Sequence, residues 1–424
     1  MVTHIPTIQT TNIANEYNPF IPPQLDNPYP IYARARKEAP VFYSPMLNLW
    51  IVTRYDDVSH ILKDPTHFYS AHNFDPASPL PSSVLEVVRK VYPNIFNLVV
   101  SDPPKHERLR GLLTQAFNLE KELRPRQQSR NWEIAHELVD TFVQDGRADL
   151  VQQFTLLLPS MMMSVMTGLP HEGIKTVLQT CDNIAKLLWE QNPLEKQLEY
   201  AHSIVALQEY LTAQFEERRT EPRHDILTDL IAARLHGEKP LEIPEAVNLI
   251  TTMLFAIYEN IPKGLSNTLM LLLRHPEYLQ AIRENPTLAD NAIEEAIRVE
   301  PSVQGLIRTT RQAVEVGGVT IPAESRLQIM LGSANHDESH FPDPDRFDIY
   351  RDSQQKHLAF GTGIHRCVGI PLTHALGRIS IQVLLERLPN LRLQPDTVFE
   401  FEPNLIFRVL KRLPVEWDVP AVVS

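Results

Sequence analysis

Two short stretches carry residue types that can do chemistry. The first is FGTGIHRCVG, residues 360–369, in which Gly361, Gly363 and Gly369 bracket Cys367. Glycine permits positive φ and close backbone approach. A cysteine in a tight glycine turn just before a helix N-terminus is favoured as thiolate. Backbone N–H groups from Val368 onward would moderate its charge, an arrangement suited to a thiolate that binds a metal from one side only. The residues by themselves also admit a buried structural cysteine, the commoner fate of an isolated one. They admit a nucleophile served by a distant His and Asn as well. Zinc is disfavoured, because a structural site wants four ligands and no second cysteine is near.

The second stretch is FAIYENIP, residues 255–262. It places Glu259 and Asn260 in the middle of an apolar run from Leu249 to Leu273, with Pro262 two residues on. Burying an acid is costly unless it is solvated or paired. An interior proline removes one backbone hydrogen bond and clashes with the turn before it. The expectation is a helix that opens at Pro262, beside an acid and an amide that hold water.

The elements around these stretches follow from pattern. Pro244 and Glu245 make a good helix start, and the run ends near Arg274, giving a helix of about 46 Å at 1.5 Å per residue. Residues 101 to about 300 are mainly helical. A helix follows Cys367 over roughly 368–387. Residues 40–62 predict strand, turn, strand and a helix opened by Asp56 or Asp57. Around Gly317-Gly318 and Pro322 the alternation of Val, Thr and Ile predicts short strands. The proline-bearing segment 70–100 is a loop with short helical pieces, and residues 1–30 are an extended segment. The fold class is mainly α with a small β region, a large helical body rather than βαβ alternation, and residues 1–424 form one domain.

Composition bounds the partners. The chain has 424 residues, 43% hydrophobic and 22% charged, with a formal net charge of −12. That balance argues against nucleic acid as the main partner. The polar N-terminus lacks a signal-peptide pattern, and no uninterrupted apolar stretch reaches the roughly 18 residues of a membrane span. A cytoplasmic protein, not a membrane one, is expected. With Cys181 and Cys367 the only cysteines, a disulfide framework is excluded.

FGTGIHRCVG matches the haem-binding signature F-G-x-G-x-H-x-C-x-G at every fixed position, and the chain thereby resembles the cytochrome P-450 haem-thiolate monooxygenases. EAIR (Glu295, Arg298), PDRF (Arg346), DPPKHERLRGLLTQAF (102–117) and GSANHDESHFPDPDRFD follow in the family's order, so the resemblance covers roughly residues 30–420 and is closest to soluble bacterial members. It implies the cytochrome P-450 fold, with the long helix crossing the distal side of haem b. Cys367 becomes the iron ligand, and His106, Arg110, Arg308 and His365 become partners of the haem propionates. Phe360 and Gly361 are further cofactor contacts. Glu295, Arg298 and Arg346 form a structural charged triad. The implied substrate pocket comprises Leu98, Val99, Leu187, Leu188, Phe255, Tyr258, Val303, Gln304 and Ile406.

Glu259 and Asn260 occupy the family's acid–threonine pair, with the acid kept and the threonine replaced. An amide accepts and donates hydrogen bonds but does not relay protons as a hydroxyl does. The leading expectation is a monomeric monooxygenase of secondary metabolism. It inserts oxygen from dioxygen into a small apolar organic substrate, with electrons from NAD(P)H through a separate ferredoxin or similar donor. A basic patch that includes Arg366 would dock that donor. The alternatives are a haem-thiolate enzyme that uses peroxide or catalyses a dioxygen-independent rearrangement, and non-catalytic haem or ligand binding.

Overall fold

The computed structural model describes residues 12–76, 78–90, 92, 95–117, 125–352 and 356–419, with the side chains of 125–128 left aside. Residues 1–11 of the expected extended segment lie outside that set. The remainder of that segment is not simply extended, since Asn12–Glu16 and Tyr29–Glu38 are helices. The chain forms two compact units, each drawn from three stretches of sequence. One comprises Met1–His72, Lys263–Ile370 and Leu391–Glu416, and the other Asn73–Pro262, Pro371–Asn390 and Trp417–Ser424.

The first unit is built on a five-stranded sheet. Its strands run in the order Val41–Ser44, Leu49–Val52, Arg326–Ile329, Leu306–Thr310, Phe68–Tyr69. Leu49–Val52 pairs with Arg326–Ile329 in parallel, with Trp50 opposite Leu327, and the other neighbours are antiparallel. Period-two alternation sends Trp50, Val52, Leu327 and Ile329 into one core, while Phe42, Leu49, Ile51 and Ile307 enter another. The predicted turn at Gly317-Gly318 joins Val314–Val316 to Val319–Ile321. Both glycines have positive φ, +56° and +78°, as a two-residue hairpin turn of this hand requires. Tyr55–Lys63 is the expected helix. Arg54 is its N-cap, and Asp56 and Asp57 lie in the first turn, where acids favour the helix dipole.

The second unit is helical. Its main members are Lys105–Ala116, Leu157–Thr167, His171–Trp189 and Leu194–Thr220. Arg218, fully buried, meets Asp225 at 2.7 Å and donates to the Thr167 carbonyl at 3.1 Å. Asp225 also accepts from Thr228 N and so caps the next helix. That pair ties three helices together.

The helix Ile243–Leu273 runs through Pro262, whose residue and all before it belong to the second unit and whose successors belong to the first. The expected opening does not occur. An interior proline costs about 3 kcal/mol, but Leu254, Phe255, Ile261 and Leu265 are buried on either side of it. Packing of that extent overrides a single propensity.

Candidate active site

In the first unit a chain of polar contacts builds the cysteine loop. Glu295 and Arg298, three apart on the helix Leu288–Val299, pair through two contacts of 2.8 Å, both side chains buried. Arg298 then donates to the carbonyls of Asn335 (2.8 Å) and Pro344 (2.7 Å). The Asn335 side chain accepts from Leu358 N at 2.7 Å, two residues before the loop begins. Thus a buried ion pair fixes the backbone that feeds Phe360.

The triad's third member differs from the sequence expectation. Arg351, not Arg346, reaches Glu295, at 2.9 Å. The Arg346 side chain is 64% exposed and lies 3.5 Å from Asp348, while its backbone carbonyl accepts from both Arg298 and Arg351. The sequence carries a signal for this, a second arginine in DRFDIYR, but choosing between the two needs the path of the loop.

The loop itself closes through Cys367 N, which donates to the Phe360 carbonyl at 2.9 Å. Gly363 has φ +71°, and a Cβ there would lie 2.4 Å from the Leu62 carbonyl oxygen, so only glycine is accommodated. Gly369 N donates to Cys367 Sγ at 3.3 Å, the sulfur-directed amide that the sequence suggested. Cys367 is exposed, whereas Cys181 is buried, and burial pushes the Cys181 thiol far above its ordinary pKa. His365 Nε2 lies 3.1 Å from Ser70 Oγ. Arg308 is buried on its strand and donates to the Ile307 carbonyl at 2.8 Å.

Among the described residues no group of three or more His, Cys, Asp and Glu side chains could hold a metal ion. An exposed cysteine sulfur with a backbone N–H directed at it fits the thiolate ligand of a haem. Of the pocket candidates in this unit, Val303 and Ile406 are half-buried. Gln304 is less suited to a ligand. Its Nε2 donates to Pro301 O at 3.0 Å, and its Oε1 sits 2.2 Å from where a Cβ on Gly332 would be.

In the second unit His106 and Arg110, four apart on Lys105–Ala116, share a helix face. His106 is buried, and its pKa is held down to about 4, first by burial and then by Arg110. An imidazole and a guanidinium on one helix face could together hold a haem carboxylate. Phe255, Leu98, Leu187 and Leu188 are buried, and Val99 and Tyr258 half-buried.

Rings that the sequence reading overlooked surround Phe255. Phe96 lies 5.1 Å from it edge-on, Trp189 5.9 Å and Phe74 6.2 Å away, and Phe74 stacks on Phe96 at 4.5 Å. Such pairs hold Phe74 and Phe96 to two helices. Thr252 Oγ1 adds a hydrogen bond to the Ile95 carbonyl at 2.8 Å.

Glu259 is 6% exposed, and its charge adds to the upward pressure of burial on the Cys181 thiol and the Tyr258 hydroxyl. Asn260 turns back on its own helix, its Nδ2 donating to the Ala256 carbonyl at 2.9 Å.

The cytochrome P450 family model matches residues 32–406. The chain belongs to the cytochrome P450 family. This P450 is 33% identical over 401 residues to the cytochrome P450 monooxygenase PikC of Streptomyces venezuelae, spanning 92% of this chain and 91% of that one. It is 33% identical over 377 residues to the mycinamicin IV hydroxylase/epoxidase of Micromonospora griseorubida, spanning 87% and 89%. The P450 heme domain of Tepidiphilus thermophilus superposes with a TM-score of 0.86 at 29% identity, covering 96% of this chain and 97% of that one. The P450 is thus a haem-iron oxidoreductase of the monooxygenase type, mainly α with small sheets, as the sequence implied. Among its described residues no helix is long and apolar enough to cross a membrane.

Proposed function

We propose that this P450 inserts one oxygen atom of dioxygen into an apolar organic substrate of secondary metabolism, the other leaving as water with two electrons and two protons. The observation that carries the reading is the Cys367 loop, glycine-bounded, closed on Phe360 and directed at sulfur by Gly369 N–H. A thiolate-bound haem supplies the activation of dioxygen, because thiolate donation favours O–O cleavage. Cys367 provides that ligand, and Phe360 and Gly361 shape the loop against the cofactor. Arg308, His365, His106 and Arg110 are the donors for its propionates, since arginine forks and imidazole N–H groups match carboxylates. A relative named as a mycinamicin IV hydroxylase/epoxidase supports hydroxylation of an organic substrate. The buried leucines and rings around Phe255 support a largely apolar one.

Glu259 is the group that takes protons inward and releases them at the site of chemistry. Its carboxylate is the acid retained on the long helix, and the ordered turn there holds it in place. Electrons come from NAD(P)H through a separate ferredoxin-type donor, for which Arg366, exposed beside the cysteine, offers a cationic contact.

The test compares two oxidant supplies in wild type and Glu259→Gln. With dioxygen, NAD(P)H and a surrogate ferredoxin couple, the variant should lose roughly 10–100-fold in turnover, the scale of general acid catalysis, with a larger solvent isotope effect. With peroxide, which brings its own protons, the loss should be smaller. Equal rates for wild type and variant under both supplies would remove Glu259 from proton delivery. Product from peroxide, with none from dioxygen and reductant, would favour a peroxide-using enzyme.

A further inference from the structure

We propose that a groove between three helices of the second unit binds a medium-chain carboxylate, with its hydrocarbon tail on an apolar floor and its head group on Lys175 and His171. None of the groove's residues is among the haem or substrate contacts already assigned.

The groove has a volume of about 400 Å³ and is walled by Pro125–Asp140, Leu157–Thr167 and His171–Trp189. Four-residue spacing makes its floor. Leu157, Met161 and Val165 form one line along their helix, and Ile174 and Leu178 form another along the next. Ile134 and Ile174 are buried, Met161, Val165 and Leu178 half-buried, and Leu157 is left 42% exposed. Leu157 and Val165 stand about 12 Å apart at 1.5 Å per residue. An apolar strip of that length, open to solvent, gains by being covered.

The polar groups of the groove define the head of the ligand. Ser160 and Ser164 donate their hydroxyl protons to the carbonyls of Leu156 and Leu169, each at 2.7 Å. Arg130 is already held by Glu133 at 3.1 Å and Glu137 at 2.6 Å. Lys175 and His171 remain, both exposed and four apart on the helix face that carries Ile174 and Leu178. Neither forms an ion pair among the described residues, and Glu172 in the same turn pairs with neither. Lys175 supplies charge and His171 a ring N–H, the donors that a carboxylate accepts. A cation without a counter-charge at an apolar strip is complementary to an amphiphile with one negative charge. The volume is that of a small-molecule site, roughly 300–1,000 Å³. That favours a single chain over a partner protein, whose footprint takes about 800 Å².

The experiment uses decanoate, 1-decanol and decylamine, which share a chain and differ in head group. Each is titrated calorimetrically into the haem-loaded wild type while the Soret band is followed. Binding beside the haem moves that band, and binding in the groove does not. Decanoate should show a Soret-silent event about tenfold tighter than decanol, with decylamine weaker still. Lys175→Glu should weaken the event roughly tenfold and erase the preference for the anion. Leu157→Glu, which puts a like charge on the strip, should remove it. Both positions are exposed, and a normal Soret band under carbon monoxide verifies that each variant is folded. The proposal is overturned if decanoate shows no Soret-silent event, if decanol binds equally well, or if the event survives both substitutions. Light scattering and flotation with phosphatidylglycerol vesicles test the other occupants. A wild-type dimer, or vesicle binding, that Leu157→Glu abolishes while decanoate shows no silent event also overturns the proposal. The face would then belong to a second copy or to an anionic membrane.

Discussion

The loop at 360–369 and the helical turn at 255–262 both supply residues that the family resemblance makes functional, yet they are held in opposite ways. The loop has little regular structure and obtains its shape from specific contacts, namely the Phe360–Cys367 closure, Gly363 against the Leu62 carbonyl, and the Glu295–Arg298–Asn335 chain that fixes Leu358. The turn is regular helix, and its departures are confined to side chains, an acid at 6% exposure and an amide with an unused oxygen. A loop of that kind tolerates no change at the residues that shape it. A helix keeps its course whatever its side chains are, so chemistry can vary on it. Pro262 makes the point, because the helix passes through it unbroken.

The largest test sets the two cysteines against each other. Cys367 sits exposed in the loop, and Cys181 is buried in the His171–Trp189 helix. Cys367→His should abolish the red-shifted Soret band of the reduced, carbon monoxide-treated protein completely. Cys181→Ser should leave that band in place and cost only stability, about 1–3 kcal/mol for a hydroxyl put into a buried apolar site. A normal band in Cys367→His would mean that the loop's elaborate shape serves something other than iron.

The loop side is sharpened by the charged frame. Arg351→Ala removes one of the two cations at buried Glu295, which keeps Arg298, and should cost about 1–3 kcal/mol in urea unfolding, with faster haem loss. Arg346→Ala removes a side chain that is 64% exposed and leaves its carbonyl in place, so its effect should stay within about 0.5 kcal/mol. Equal losses in the two variants would restore Arg346 to the triad and discredit the contact of Arg351.

The same residues show what was legible in the sequence and what was not. Glu295 and Arg298 were readable because an i,i+3 pair on one helix is a local fact. Arg351 was not, because which of two arginines five residues apart reaches Glu295 depends on an irregular loop that no periodicity describes. The cysteine loop was readable because its glycines answer local demands of φ and space. The bounds of the long helix were readable from its apolar run, as Ile243–Leu273 against the expected 244–274. The unbroken passage through Pro262 was not, since long-range burial outvoted a local preference. Phe74, Phe96 and Trp189 come from a segment without a repeating pattern and a helix end, and only the fold brings them to Phe255. The direction of the Asn260 amide likewise needs the Ala256 carbonyl at its helical position.

A pH-dependent effect concerns His106, the second unit's candidate for a cofactor carboxylate. Burial, helped by Arg110, lowers its pKa to about 4, against roughly 6.5 for an unfolded chain. Below pH 6.5 the unfolded chain takes up a proton that the folded imidazole refuses until about pH 4, so unfolding binds a proton throughout that window. This contribution to stability is therefore complete above about pH 7 and is lost as pH falls from roughly 6.5 toward 4. One unit below the unfolded pKa the loss is about 1.4 kcal/mol. His106→Gln keeps a polar side chain and does not titrate. Urea unfolding of the haem-free chain at pH 7.5 and 5.5 should show wild type losing about 1.4 kcal/mol more than the variant. A propionate beside the imidazole favours its charged form, so loading haem should shrink the difference between the two proteins. A difference that haem leaves unchanged would keep His106 as a buried neutral imidazole of the helix packing and remove it from the cofactor's partners, leaving Arg110 to act there without it.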